Sequence, residues 1–312
     1  MEKFLILLNK IPRDRLWLVF LRCGISALAL LHFAAIQSDF NDIFSPDSFV
    51  PPDIQDAFKN PLVPSIYGIY YCITKFTGME YSAVLLTIRL LYPISLLMLL
   101  TGFMTRFSAF MGLFLQLIIL NSMDLYTYGA DVFTSIGLFY CIIFPAGLEL
   151  SLDERLFKTP AGSTHIPQFL WIFRAHICVI YFFSGFEKFM GYNWRNGEAI
   201  WKMVHGYNTL PFINLDFLSK TPLFFIAGWV IILLEMLYPV FININKTRTL
   251  WLWSVVGLHV AIALFMGLYF FSGIMIVLNL TAYYIPFIQN NQVVISPVAP
   301  VVATDDSASL FI

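Results

Sequence analysis

An all-α fold, a polytopic membrane helix bundle of about eight transmembrane helices, follows from three observations on this sequence. Hydrophobic residues make up 59% of the 312 and charged residues only 12%, whereas a soluble domain carries roughly 25% charge. Mean hydropathy is +0.78. Apolar runs long enough to cross a bilayer recur between short polar connections. A chain so poor in polar groups cannot cover itself in water, and it reads as an integral membrane protein.

Residues 1–15 form a short basic segment. The apolar run from Leu16 to Ile36 is too long for a cleaved leader and shows no small-residue cleavage pattern, so it is a retained first span. The acidic stretch after it, with Pro46, Pro51 and Pro52, is an exposed loop. Ser65 to Phe76 is aromatic but short, which suits an interfacial or re-entrant helix. Further spans are expected near 81–103, 107–123, 132–148, 168–189, 224–241, 250–265 and 269–287, with boundaries good to a few residues. A single membrane domain thus covers 16–287. Residues 288–312, with Pro297, Pro300, Asp305 and Asp306, have no helical pattern and read as a disordered cytoplasmic tail. Cys23, Cys72, Cys141 and Cys178 share no metal-ligand spacing, so buried free thiols are expected, with neither disulfides nor a metal site.

Charge sets the orientation. Of 18 lysines and arginines, connections on the side of the N-terminus carry about twice as many as those opposite, which places both termini in the cytoplasm. The segment around Lys188 then faces outward. A net charge of -1 gives no sign of a nucleic-acid partner. No Asn-x-Ser/Thr sequon lies in an expected outer loop, which favours a bacterial cytoplasmic (inner) membrane.

Arg89, Arg174, His176, Glu187, Lys188, Glu235 and His259 fall within or beside apolar runs. A central charge costs roughly 2.5–3.5 kcal/mol on insertion scales, so such residues face the bundle interior or a wet cavity and mark function or ties between helices. Arg89 and Glu235 lie at similar depths, and a buried pair between them is expected. Tyr181, Ser184 and Lys188 share one helical stripe, while Glu187 points about 100° away. For Lys188 two readings stand side by side. One is a lysine reaching from a span end to the interface; the other is a partly desolvated amine serving as base or nucleophile.

Several segments together resemble a known family. Arg174 to Ile177, Tyr181-Phe182, Ser184-Gly185, Lys188-Phe189 and Trp194 stand in the order and near the spacing found in the membrane domain of the vitamin K-dependent gamma-carboxylases. The same pattern occurs in bacterial relatives carrying the horizontally transferred transmembrane (HTTM) domain. TGFMTRFSAF at 101–110, Ser151 and Asp153 in FPAGLELSLDERL, Glu235, His259 and FSGIMIVLNL at 271–280 resemble further parts of that domain. The resemblance implies that Lys188 is a base, with Tyr181, Arg174, Glu235 and His259 around it. It also implies a quinol such as reduced vitamin K as cofactor, and carboxylase-like chemistry at the outer face. The sequence departs from the carboxylases where they carry an Asn-His pair, since Asn121 is followed by Ser122.

Two classes of function follow. The first is a membrane enzyme modifying or maturing a peptide at its outer face, with Lys188 as base. The second is a non-catalytic accessory or scaffold in maturation or export of a secreted toxin peptide, as the resemblance to the sporulation-delaying toxin maturation membrane protein implies. A transporter is disfavoured, because no inverted repeat or matched pair of broken helices is visible.

Overall fold

The computed structural model describes residues 15–51, 54–55, 57, 60–157, 165–205 and 221–286. The expected tail and most of the basic N-terminal segment lie outside the described residues. Within them all regular structure is helical. The helices are α1 (Leu16–Ala35), α2 (Phe40–Phe44), α3 (Ile66–Thr77), α4 (Tyr81–Thr101), α5 (Thr105–Asn121), α6 (Gly129–Ile143) and α7 (Leu152–Phe157). They continue as α8 (Ile166–Met190), α9 (Tyr192–Arg195), α10 (Glu198–Val204), α11 (Leu223–Met236), α12 (Tyr238–Phe241), α13 (Arg248–Met266) and α14 (Tyr269–Asn279). A π-helical turn, Leu280–Tyr284, extends α14.

Four helical segments are long and apolar enough to cross a membrane: Leu16–Ser38, α4, α8 and α13. Four shorter apolar segments, α5, α6, α11 and Tyr269–Tyr284, occupy the remaining expected runs. Helix α3 begins on Ser65, whose hydroxyl accepts from the Gly68 N–H at 3.0 Å, and ends on left-handed Gly78. Only Ile66 of its residues is buried, and Tyr67, Tyr71 and Phe76 stay exposed, as suits a short helix lying at an interface.

The helices pack as two groups sharing one member. Helices α1, α4, α5 and α6 pack on one another and on α14, while α8, α11 and α13 form a second group that also reaches α14. The core is continuous between them: Trp17 of α1 stacks on Phe173 of α8 at 6.1 Å, and Tyr140 of α6 meets Phe173 edge-on at 5.0 Å. Tyr140 also hydrogen-bonds the His176 ring, so α6 and α8 are joined toward the N-terminal half of α8.

At that same end the conspicuous turn residues fold into one clasp. Asp153 accepts from the N–H groups of Met104 and Thr105, at 2.6 and 2.7 Å, satisfying donors at the start of α5. The buried Arg22 guanidinium donates to the carbonyls of Ala146 and Leu150 at 2.8 and 2.6 Å. Gly102 has a φ of 70°, and a Cβ there would sit 2.5 Å from that of Ser151. The 101–110 and 144–156 segments are therefore one structural unit.

Two expectations need correcting. Arg89 does not pair with Glu235; its Nε donates to Gln37 Oε1 at 2.7 Å and its guanidinium lies over Phe40. The two belong to different helix groups, so equal depth did not bring them together. All four cysteines are free, but only Cys141 is buried, and Cys72 is exposed.

Candidate functional site

The site lies at the C-terminal end of α8. Glycine makes it possible: a Cβ on Gly185 would lie 2.5 Å from the Met236 nitrogen and 2.9 Å from the Glu235 Cβ. Bare backbone at Gly185 thus lets α8 and α11 approach closely at the level of Lys188. Helix α11 stops just beyond Glu235, because Pro239 has no N–H to donate and its ring would clash with a carbonyl one turn back. The indole N–H of Trp251 donates to the Leu234 carbonyl there, at 3.0 Å.

Lys188 Nζ donates to Glu235 Oε2 at 2.7 Å and to Ser184 Oγ at 2.6 Å. Its ammonium also lies 5.2 Å from the ring centre of Trp194, on α9. Trp194 is held from behind, since its carbonyl packs on Gly228 of α11 and a Cβ there would sit 2.4 Å from that oxygen. Left-handed Gly197 then turns the chain into α10, against the start of α11.

A second polar group lies beneath. Tyr238 Oη donates to Asn279 Oδ1 at 2.7 Å, and Asn279 Nδ2 donates to Tyr181 Oη at 2.7 Å. Tyr181 and His259 Nε2 are 2.6 Å apart. With Asn279 donating to its oxygen, the Tyr181 hydroxyl donates in turn to His259 Nε2, which assigns the one proton of the neutral ring to Nδ1. That Nδ1 is buried and has no hydrogen-bond partner among the described residues. Tyr181 and Tyr238 stack at 4.2 Å, fixing both hydroxyls.

Both groups border one cavity of about 430 Å³, within the range of small-molecule sites. Tyr181, Ser184, Glu187, Lys188, Glu235 and His259 supply its polar lining, and side chains such as Phe133, Phe183, Ile231, Met266 and Phe271 supply the rest. Of the five expected site residues, the structure brings Lys188, Tyr181, Glu235 and His259 together. Arg174 is elsewhere: its Nε donates to the Ala282 carbonyl at 2.7 Å and its guanidinium lies 5.0 Å from the Tyr283 ring centre. It ties α8 to the π-helical turn, fourteen residues and roughly 20 Å of helix before Lys188.

Sequence reading missed Asn279 and Tyr238. Asn279 is a lone amide in an apolar run, and that was the available signal. It also missed a cluster in the other helix group, where His32 faces Asp131 at 3.8 Å and stacks on Phe270. Asn121 makes a structural bond set, accepting from Asn60 N at 2.7 Å and donating to the Val63 carbonyl at 2.6 Å.

Apolar helices around a cavity floored by an ion pair and a hydroxyl–imidazole–amide chain define an integral membrane protein with a buried polar site. The chain belongs to the HTTM domain family, whose profile matches residues 12–286. No curated protein and no solved structure compared with it matches.

Proposed function

We propose that this HTTM protein is a membrane enzyme that modifies or matures a secreted peptide at its outer face, with Lys188 as base. The observation that carries this reading is the Lys188–Glu235 contact of 2.7 Å inside a largely apolar cavity. An ion pair held there for stability alone is a poor bargain, because taking both charges out of water offsets their attraction. A pair that can exchange a proton has a use: transfer from Nζ to Oε2 leaves a neutral amine facing the cavity. That amine accepts the proton of a substrate acid, forming a new N–H bond as the substrate bond breaks. Ser184 and Trp194 hold Nζ in place, and apolar walls keep out water that would otherwise quench the base.

The residues fit a quinol in chemical type. Phe133, Phe183 and Phe271 offer aromatic surface for a ring, and the buried His259 Nδ1 would donate to a ring oxygen. A bound quinol would supply the electrons for oxygen-linked chemistry of the carboxylase kind. Lys188 and His259 would be the groups holding it.

In the topology that goes with this reading, all eight apolar segments cross a bacterial cytoplasmic membrane. Both termini are inside, and the Lys188 end is outside. The test compares secreted peptides by mass from cells making wild-type protein, Lys188→Arg or Lys188→Ala. A mass change that depends on wild type and is lost in both variants, with both still inserted, is the expected result. Retention by Lys188→Arg would sink the base and leave the accessory, scaffold-like role, since arginine keeps the charge but not the exchangeable amine.

A further inference from the structure

Glu187 has no part in the ion pair or the polar chain, yet it lines the same cavity. It is exposed, and among the described residues nothing bonds its carboxylate. Its place is unfavourable on local grounds. It sits in the last turn of α8, where the helix dipole opposes negative charge, and its neighbours Phe183, Phe186 and Met190 are exposed apolar side chains. Neither helix stability nor packing explains an unbonded acid at that position.

The charge balance around the cavity gives it a role. Lys188 is bound to Glu235 and His259 to Tyr181, so no uncommitted cation borders the cavity among the described residues. Lys202 is bound to Glu198, at 2.7 Å, and neither lines it. The rim is thus acidic and the walls apolar. We infer that Glu187 is a selectivity residue, that the cavity takes a basic side chain carried on an apolar peptide segment, and that acidic peptides are turned away. This rests on the reading of the cavity as a peptide-substrate site. A phospholipid headgroup fits less well, because its phosphate would meet Glu187 and find no free cation. An acidic peptide would place a second carboxylate beside the first.

The test uses the full chain in phosphatidylcholine nanodiscs. Three fluorescent apolar peptides, identical except for a central lysine, norleucine or glutamate, are titrated against wild type, Glu187→Gln and Glu187→Lys. A cavity-filling variant, Ile262→Trp, or Met203→Trp if the first fails to fold, is titrated in parallel. In wild type the lysine peptide should bind about tenfold more tightly than the glutamate peptide, a modest value for one rim charge. Glu187→Gln should bring the lysine and norleucine peptides together, and Glu187→Lys should invert the order. Equal binding of all three to wild type, abolished by filling the cavity, would overturn the selection and leave the cavity reading standing. No binding at all, or binding indifferent to the filled cavity, would overturn both. Displacement of the lysine peptide by phosphatidylethanolamine discs would assign the rim to an aminolipid and overturn the peptide.

Discussion

Lys188 and Glu235 act on stability as a unit. Their side chains are 19% and 7% exposed, so removing one partner strands the other's charge, at a cost of about 3–5 kcal/mol. Replacing both by apolar residues removes the stranded charge with the pair. Glu235→Leu is therefore expected to lower the thermal unfolding midpoint in detergent well below that of the Lys188→Met/Glu235→Leu double variant. The double variant should fold near wild type while losing peptide modification. A double variant as unstable as the single one would show that the pair holds the bundle together rather than serving chemistry. The sequence placed Lys188 on a stripe with Tyr181 and Ser184, and the 2.6 Å bond to Ser184 follows that stripe. It gave Glu235 the wrong partner, Arg89 in place of Lys188, because depth along a helix says nothing about which helices are neighbours.

The helices themselves were largely legible. Apolar runs marked the eight hydrophobic segments and Ser65 the start of the short aromatic one, but the expected spans ran on through Gly102 and Pro239, where backbone geometry and a missing N–H bring α4 and α11 to an end. Close approach was not, because a glycine inside a helix looks the same whether or not another backbone lies against it. Gly185 and Gly257 show the contrast. A Cβ on Gly185 would meet the Met236 nitrogen at 2.5 Å, whereas Gly257 has nothing within 4 Å. Gly185→Ala is expected to push α8 from α11 and lengthen the Lys188–Glu235 contact, destabilising the protein by about 1–3 kcal/mol. Gly257→Ala should be neutral or slightly stabilising. Thermal unfolding of the two variants side by side checks this, and equal midpoints would contradict it.

At the scale of the whole molecule, α14 belongs to both helix groups and touches both polar clusters through adjacent phenylalanines. Phe270 stacks on His32 in one, and Phe271 lies 5.7 Å from His259 in the other. No composition or charge count could show this division, since it depends on how distant spans assemble. Charge bias did predict a direction, and fluorescent-protein fusions test it. Fusions to either terminus should both fluoresce, as cytoplasmic ones do, and an alkaline phosphatase fused after residue 205 should be active. A dark terminus would rule out the eight-span arrangement. The short apolar helices also bear on the surrounding lipid. Helix α6, with 15 residues, extends only about 23 Å, against roughly 30 Å of hydrocarbon in a typical bilayer, whereas α11 is prolonged by α12 to Phe241. In the proposed eight-span arrangement lipid beside α6 would have to thin to match, and the fold would then favour short-tailed lipid along that one helix.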